Sequence, residues 1–522
     1  MDTRSLILDA LKRRVSLFNT WPTPEVVRIG GDEGELGNLD ISGNINAEFH
    51  RLPVITGNGG KIYKDMGHVE FCTPETSNPV ARTAYIEAMR RYCFRERYAH
   101  KLYYHCVDGD NNTFGGSHEN WFTRACRKDW QKLIPFLIAR TLIAGSGNWT
   151  KRNGMPTYEI SQRARFIVTD VSEETTCNRG IINTRPESSS KVGGWNRMHV
   201  IYSEPTMCEV ATFLKIGLMS LVVELMEIDA LPSIKYDREK AVSDIHRISL
   251  RMSRWFLNGV TEGPKGAVEL LGCYVARARE LFFGRDEATN AVILIAEDTL
   301  EKLASNIRML LFGRLDWVTK YEVLRLVLEE FPDPIKDEFE WLRSQDIEWH
   351  NLNQAEGLYY GLRQTGQVER IVSDELIAEA MEEPPADTRA FVRGKTQQLL
   401  KKEGRGRELR NPAWKEISVV DAKMNRSDDH RASIGKSRFL IHLNPEGNSW
   451  SESKLGLKRE NNLACHKPER SDFSGFVFCK NGDFLLILPP SHSNSFRLFH
   501  SSFRPRIQTN KFSFCKDVSL HD

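Results

Sequence analysis

The sequence predicts an α+β fold, and three observations support this class. Between about residues 25 and 215, short runs typical of strands alternate with helical segments. From about 215 to 345 helical periodicity dominates, and glycine and proline mark the segment ends. A composition of 40% hydrophobic and 27% charged residues over 522 positions suits a globular protein of two or more domains. We therefore expect helices packed onto a sheet in one large domain.

Strands and helices can be assigned in chain order. We expect strands in GKIYKDM, KLYYHCV and RMHVIYS, and a helix in DWQKLIPFLIARTLIAG. Residues 213–228 predict a buried helix, because Lys215 and Glu224 interrupt an apolar run that is too short to span a bilayer. Three more helices are expected in AVELLGCYVARARELFF, AVILIAEDTLEKLASNIRMLLFG and KYEVLRLVLEEF.

Composition shifts divide the chain into four expected segments. An amphipathic N-terminal helical extension (1–25) precedes a main domain (26–345). A small domain (346–424) holds SDELIAEAMEEPPADTRAFVRGKTQQLLKK, with its Pro-Pro break, and a strand in PAWKEISVVDA. The tail (425–522) suggests no function, although SGFVFCKNGDFLLIL is typical of a hairpin with an Asn-Gly turn.

Charge and cysteine usage exclude several classes of protein. Lys and Arg number 72 against 70 Asp and Glu, so the net charge of +2 indicates no nucleic-acid or membrane partner. The ten cysteines show no CxxC pair and no paired Cys/His ligand spacing, which argues against a zinc site and a disulfide framework. A reducing cytoplasm is the expected compartment.

The stretch GGDEGELGN places Glu33 and Glu35 two residues apart after the apolar run EVVRI. On a strand both would project from one face, where two carboxylates repel unless a cation lies between them. Mg²⁺ prefers such hard oxygen ligands and often arrives with nucleotide phosphates. Taken alone, the stretch is more commonly an exposed acidic turn.

A second polar cluster lies in GNGGKIYKDMGHVEFCTPE, where Asp65 shares a strand face with Tyr63, and His68 shares one with Glu70. Asp, His and Glu are poor strand formers, and residues that conflict with the predicted secondary structure often mark a functional site. The alternative is a solvated edge strand.

Further motifs supply more acids, histidines and arginines. Their polar residues are Asp108, His118, Glu119, Asn120, Arg163, Arg179, Asn183, Arg185, Arg197 and His199. Each is compatible with a loop or capped turn, but together they match an ATP-dependent enzyme that activates carboxylates, because arginine forks bind anions. P-loop, GxGxxG and GxSxG motifs are missing from the sequence.

These motifs resemble the family of the Pup ligase PafA and the depupylase/deamidase Dop, relatives of glutamine synthetase. GDEGELG resembles G-x-E-x-E-[YF]-G, NGGKIYKDMGHVEF resembles N-G-A-R-x-Y-x-D-x-x-H-P-E-Y, and FGGSHENW resembles Y-G-x-H-E-N-Y. ISQRA, GIINTR, RMHVI and EPPADTRAFVRG follow in the family's order. The resemblance spans about residues 26–422.

The resemblance implies a glutamine synthetase-like domain with a concave antiparallel sheet, packed by helices, and a small C-terminal domain that contributes to the nucleotide site. On the sheet, Asp65 would be the catalytic aspartate, and the Mg²⁺ ligands would be Glu33, Glu35 and Glu70.

For ATP, the resemblance implies phosphate contacts from Arg197 and Arg393 and stacking of Trp414 on adenine. Arg163 and Arg185 match the family's motifs less clearly.

The implied reaction concerns Pup, a small disordered modifier, its tagged protein substrates and, indirectly, the proteasome. Segments such as HVEFCTPETSNP and PPADTRAFVRG look closer to the depupylase branch, so we expect a deamidase/depupylase that acts on the tag's C-terminal Glu/Gln or its isopeptide bond. A ligase that joins the tag's glutamate to lysines through a glutamyl phosphate is the alternative, because the long loop usual in depupylases is missing between Gly37 and Gly57.

This sequence also departs from the family pattern. Leu36 and Val69 replace an aromatic residue and a proline, and INTRPESSS lacks the Asp and His of I-N-T-R-D-E-P-H. A non-catalytic paralogue that binds Pup therefore stays open. A ligase for small amines is a further alternative, which the order of HVEF, HENW and INTR argues against.

Overall fold

The computed structural model describes most of the chain up to residue 403 and the backbone of several strands beyond it. With gaps, the described residues are 29–37, 54–65, 68–95, 102–108, 112–113, 115–186, 195–330, 338–403, 407–410, 416–421, 439–443, 450–454, 457–461, 476–478 and 484–486. The chain divides into two compact units, 1–466 and 467–522.

The strands of the first unit come in two groups. Those before residue 270 are β1 Gly30–Leu36, β2 Val54–Ile55, β3 Lys61–Asp65, β4 His68–Cys72, β5 Ser117–Thr123, β6 Asn148–Arg152, β7 Met155–Glu159, β8 Val171–Ser172, β9 Ile182–Asn183, β10 Asn196–Val200, β11 Lys235–Tyr236 and β12 Val260–Glu262. Those after residue 400 are β13 Arg407–Arg410, β14 Glu416–Asp421, β15 Phe439–Leu443, β16 Trp450–Lys454 and β17 Leu457–Asn461.

Helices make up much of the described chain between β4 and β13. The α-helices are α1 Pro79–Arg95, α2 Arg127–Trp130, α3 Ile134–Ala144, α4 Glu209–Glu227, α5 Ala241–Leu250, α6 Ala267–Phe282, α7 Glu287–Ala304, α8 Asp316–Glu330, α9 Glu338–Glu348, α10 Leu358–Gln364, α11 Asp374–Glu382 and α12 Ala390–Glu403. Short 3-10 turns occur at Gln131–Leu133, Ala164–Phe166, Arg238–Lys240 and Arg308–Leu311. No helix within these described ranges is long and apolar enough to cross a membrane.

One large sheet organises the first unit. Its strand order is β2-β3-β4-β1-β5-β10-β9-β8, and neighbours are antiparallel except for the parallel pair β8 and β9. Because side chains alternate across a strand, β1 presents Gly31, Glu33 and Glu35 on one face, which we call the open face. Its other face, the covered face, carries buried residues such as Asp32 and Leu36.

Helices bind the covered face through buried polar contacts as well as apolar packing. Arg82 of α1 forms an ion pair with Asp32 of β1. Arg140 of α3 donates to both carboxylate oxygens of Glu119 on β5, at 3.0 and 2.7 Å. Lys215 of α4 reaches Ser117 of the same strand at 3.2 Å. These contacts fix the covered face against the helices, whereas the residues of β1 on the open face are only half-buried.

Most predicted elements are confirmed. The strands in GKIYKDM and RMHVIYS are β3 and β10, and the buried run at 213–228 belongs to α4, whose residues are almost all buried. The three further helices are α6, α7 and α8, and α11 and α12 flank the Pro-Pro break. The predicted N-terminal helix lies outside the described residues.

The strand predicted in KLYYHCV was wrong. Residues 102–108 form only isolated bridges, in which Tyr103 pairs with Gly37 and Asn351, and Val107 pairs with Thr113. Tyr103 and Tyr104 are nevertheless buried. The apolar pattern of this stretch therefore reflects burial in the core and not a ladder of hydrogen bonds.

The C-terminal region contains more strands than the sequence predicted. Strands β13 to β17 form an antiparallel sheet in sequential order. The domain boundary predicted at residue 424 falls between β14 and β15, which pair, so the segments on its two sides share a sheet. In the second unit, β18 (Phe476–Phe478) and β19 (Phe484–Leu486) confirm the predicted hairpin. The division into four segments stays a prediction.

Breaking the buried pair beneath β1 should destabilise the protein. Arg82 also donates to the Gly31 carbonyl and stacks on Trp121, so Arg82→Met leaves the Asp32 carboxylate buried without its cation. We expect urea unfolding to show a loss of about 3–5 kcal/mol. Lys235→Ala, which removes an exposed ion pair with Glu262, should change stability by less than about 0.5 kcal/mol. Equal effects of the two variants would contradict this role for the buried pair.

Candidate functional site

Cross-strand pairing brings the predicted acids together on the open face. Glu35 of β1 lies opposite Glu70 of β4, which lies opposite Tyr63 of β3. Residues that pair directly across antiparallel strands point to the same face. Asp65 and Glu33 belong to the same face, because they alternate with Tyr63 and Glu35 along their strands. The register thus places four predicted acids on one surface.

Three of these acids converge tightly. Carboxylate oxygens of Glu35, Asp65 and Glu70 lie within 4.8 Å of one another. The Tyr63 hydroxyl donates to Oε1 of Glu70. Burial, together with the carboxylates of Glu33, Glu35 and Asp65, raises the pKa of Glu70 to about 9. Without a cation this group therefore holds a proton at neutral pH. Such an all-oxygen cluster fits the predicted Mg²⁺.

Glu33 lies between the acids around Glu70 and the imidazoles of His118 and His199. Its Oε1 accepts a hydrogen bond of 2.8 Å from Arg197, and its Oε2 lies 3.6 Å from Nδ1 of His118 and 3.5 Å from Nε2 of His199. Burial alone would raise its pKa, but the guanidinium of Arg197 and the two imidazoles hold the pKa of Glu33 well below its usual range. Glu33 also lies within 4.8 Å of the ligand atoms of Glu70.

His118 and His199, which the sequence offers only as members of a larger polar set, are candidate metal ligands. Their ring nitrogens and a Glu33 oxygen lie within 4.8 Å of one another. Burial and the nearby charge of Arg197 lower the pKa of His199 to about 4, so its ring is neutral at pH 7. Nε2 of His199 is buried and lies 3.5 Å from the Glu33 carboxylate. A neutral imidazole beside an ionised carboxylate suits a bound divalent cation.

Arg197, a predicted ATP contact, lies beside this cluster. Its Nε donates to Oδ1 of Asn120 at 2.6 Å, while another nitrogen holds Glu33. Asn120 and His118 alternate along β5 and face the same side, whereas Glu119 between them points to the covered face and pairs with Arg140. The three consecutive residues His118, Glu119 and Asn120 of the FGGSHENW motif therefore contribute side chains to both faces of the sheet.

Arg393, the second predicted phosphate contact, is already engaged. Its Nε donates to the Gly59 carbonyl at 2.7 Å, and its terminal nitrogens contact the Glu75 carboxylate. Arg389 binds the same carboxylate, and although burial opposes this, the two arginines hold the pKa of Glu75 well below its usual range. A phosphate would have to compete with Glu75 for Arg393. The role of Arg393 as a phosphate contact therefore stays a prediction. Trp414 lies outside the described residues.

Comparison with known proteins places these residues in a family context. The sequence profile described as "Pup-ligase protein" matches residues 26–417. A Pup–protein ligase of Acidimicrobium ferrooxidans is 33% identical over 369 residues, which cover 66% of this chain and 79% of that protein. A Pup deamidase/depupylase of Mycolicibacterium smegmatis is 32% identical over 367 residues, covering 65% and 71%. Both activities therefore occur among similar relatives.

Two solved structures share the fold. The complex of the prokaryotic ubiquitin-like protein Pup with its ligase PafA superposes with a TM-score of 0.66 at 23% identity, covering 78% of this chain and 91% of that one. The Pup ligase PafA in complex with ADP gives a TM-score of 0.61 at 25% identity, covering 72% and 84%. The predicted α+β class, with a mainly antiparallel sheet packed by helices, is confirmed.

The proton on Glu70 predicts how Mg²⁺ binding depends on pH. A carboxylate must be ionised to bind the cation, so Mg²⁺ has to displace this proton at any pH below about 9. Mg²⁺ affinity should therefore rise with pH, by up to about tenfold per unit, and level off once Glu70 is ionised.

Isothermal titration calorimetry of the metal-free protein, in buffers of different ionisation enthalpy, measures both the affinity and the proton release. Glu70→Gln should weaken Mg²⁺ binding and abolish the release, whereas Glu262→Gln, at an exposed position on β12, should change neither. Binding without proton release at pH 7 would contradict the protonated state of Glu70.

Proposed function

Because this chain belongs to the Pup-ligase protein family, we propose that it is an ATP- and Mg²⁺-dependent enzyme of the Pup modification system, acting as a depupylase/deamidase. The convergence of Glu35, Asp65 and Glu70 within 4.8 Å carries this proposal. It supplies cation ligands and a potential catalytic carboxylate on one accessible face. The substrate would be the tag's C-terminal Glu or Gln, or its isopeptide bond to a lysine.

Glu33, Glu35 and Glu70 would hold Mg²⁺, and the imidazoles of His118 and His199 lie next to Glu33. The cation would stabilise negative charge on phosphoryl or carbonyl oxygens. Arg197 orients Glu33 through its 2.8 Å hydrogen bond and brings positive charge to the place where phosphates would bind.

Asp65 is the residue we assign to catalysis. It is the last residue of β3, and its side chain is exposed, whereas Glu70 beside it is buried. An exposed carboxylate at the edge of the cluster can reach a substrate carbonyl as nucleophile, or hold the water that attacks it. When water attacks, its proton would pass to the carboxylate and from there to the leaving lysine amine, or to ammonia from a C-terminal Gln, as the C–N bond breaks.

A Pup–protein ligase is the second candidate function. The sequence between Gly37 and Gly57 is short, and a ligase stands among the relatives, at 33% identity. In that reaction Asp65 would accept a proton from the substrate lysine as its amine attacks a glutamyl phosphate, and inorganic phosphate would leave as the isopeptide bond forms. The partners would be the same in both cases: a Pup-like tag and tagged proteins in the cytoplasm, and indirectly the proteasome.

One assay separates these functions. The purified full-length protein is incubated with ATP, Mg²⁺ and either a Pup-tagged protein or free Pup plus an acceptor protein, and the products are resolved by mass spectrometry. Release of the tag is the expected result, and conjugation would assign the ligase. If neither reaction occurs while Pup still binds, the chain is a non-catalytic paralogue.

Asp65→Asn should lower the rate of either reaction by about 10²–10⁴-fold, the usual contribution of a catalytic acid or base. ATP binding should persist, because the nucleotide contacts are unchanged. Asp229→Asn alters a carboxylate that is 96% exposed and should retain full activity. An Asp65→Asn variant with undiminished turnover would remove Asp65 from the mechanism.

A further inference from the structure

A thiol lies among the acids of the open face. Cys72 follows Glu70 by two residues on β4, so both side chains point to the same side. Cys72 also lies directly opposite Glu33 of β1. Its Sγ and carboxylate oxygens of Glu33 and Glu70 lie within 4.8 Å of one another. The three side chains form a mixed sulfur and oxygen set that shares Glu70 with the all-oxygen set around Asp65.

This donor set does not suit Mg²⁺. Mg²⁺ binds hard oxygen ligands, whereas Zn²⁺, Co²⁺ and Cd²⁺ accept thiolate sulfur together with carboxylate oxygen. Three protein ligands with an open fourth position are a common zinc arrangement. The imidazoles of His118 and His199 lie on the far side of Glu33 and offer further ligands that these cations prefer.

A divalent cation that binds Cys72 displaces the thiol proton to solvent and bonds to the thiolate.

We propose that Cys72, Glu33 and Glu70 form a binding site for a thiophilic divalent cation of the Zn²⁺ class. Because Glu33 and Glu70 would be shared with Mg²⁺, the two cations compete, and Zn²⁺ displaces Mg²⁺ from these ligands. Binding of the thiophilic cation does not depend on the reaction that the protein performs. Only the resulting inhibition rests on the proposed function.

Cobalt supplies a spectroscopic test. Co²⁺ is titrated into the metal-free full-length protein, without ATP or tag, and the thiolate-to-cobalt charge-transfer absorption is recorded. The wild-type protein should develop this band, and Cys72→Ser should lose it. In isothermal titration calorimetry, Zn²⁺ should bind Cys72→Ser at least about tenfold more weakly than the wild-type protein, because the variant lacks a metal ligand and the loss of even a supporting residue typically costs this much. Cys126→Ser removes an exposed cysteine and should retain the band. A band unchanged by Cys72→Ser overturns the proposal.

Alkylation tests the same site without a substitution in the cluster. The native full-length protein is treated with iodoacetamide, and each cysteine is followed by peptide mass spectrometry. Zn²⁺ should slow the modification of Cys72 at least about tenfold and leave Cys126 unaffected, while Mg²⁺ should protect neither thiol, because it does not bind sulfur. Equal rates at Cys72 with and without Zn²⁺ overturn the proposal, even if Cys72→Ser fails to fold.

Both measurements omit the tag and the nucleotide, so their outcome is separate from that of the Pup assays. If the protein binds Zn²⁺ through Cys72 but neither cleaves nor conjugates the tag, the Zn²⁺ site is supported and the proposed function is refuted. If the protein cleaves or conjugates the tag but does not bind Zn²⁺ through Cys72, the proposed function is supported and the Zn²⁺ site is refuted.

Discussion

The position of β1 inside the large sheet is the constraint on which the site depends. Hydrogen bonding to β4 on one side and β5 on the other fixes the direction of every side chain along it. Asp32 is turned down to Arg82 on the covered face, so Glu33 and Glu35 must point to the open face. A one-residue shift in the register of β1 would move Glu33 and Glu35 to the covered face and Asp32 to the open face. The buried ion pair opposes this shift, because Asp32 would lose its partner.

Charge on the open face is balanced differently at its two ends. Around Glu33, a fixed cation, Arg197, compensates the carboxylate. Around Glu70, the compensation comes from a proton, since the pKa of this group is raised to about 9 and Tyr63 donates to it. A proton can be exchanged for a metal ion, whereas a guanidinium cannot. The carboxylate cluster is therefore stable when no cation is bound, and it can exchange the Glu70 proton for a metal ion.

Sequence alone could place the acids but not the whole site. Glu33 and Glu35 were predictable because a period of two puts them on one face, and Asp65 and Glu70 belong to a single short hairpin. His118 and His199 come from strands that lie far from β1 in the sequence, and the pairing of such strands cannot be derived from local patterns. Cys72 shares the face of Glu70 by the same period of two, but its position opposite Glu33 depends on the pairing of β1 with β4, which local patterns do not give.

The most direct test of the cation site is a crystal structure of the full chain with Mn²⁺ in place of Mg²⁺, with anomalous difference density used to locate the metal. Mn²⁺ binds the same oxygen ligands and scatters anomalously. The arrangement predicts a peak on the open face within bonding distance, roughly 2–2.3 Å, of carboxylate oxygens of Glu35 and Glu70. Ordered carboxylates without a metal peak between them, or a peak only elsewhere on the protein, would contradict it.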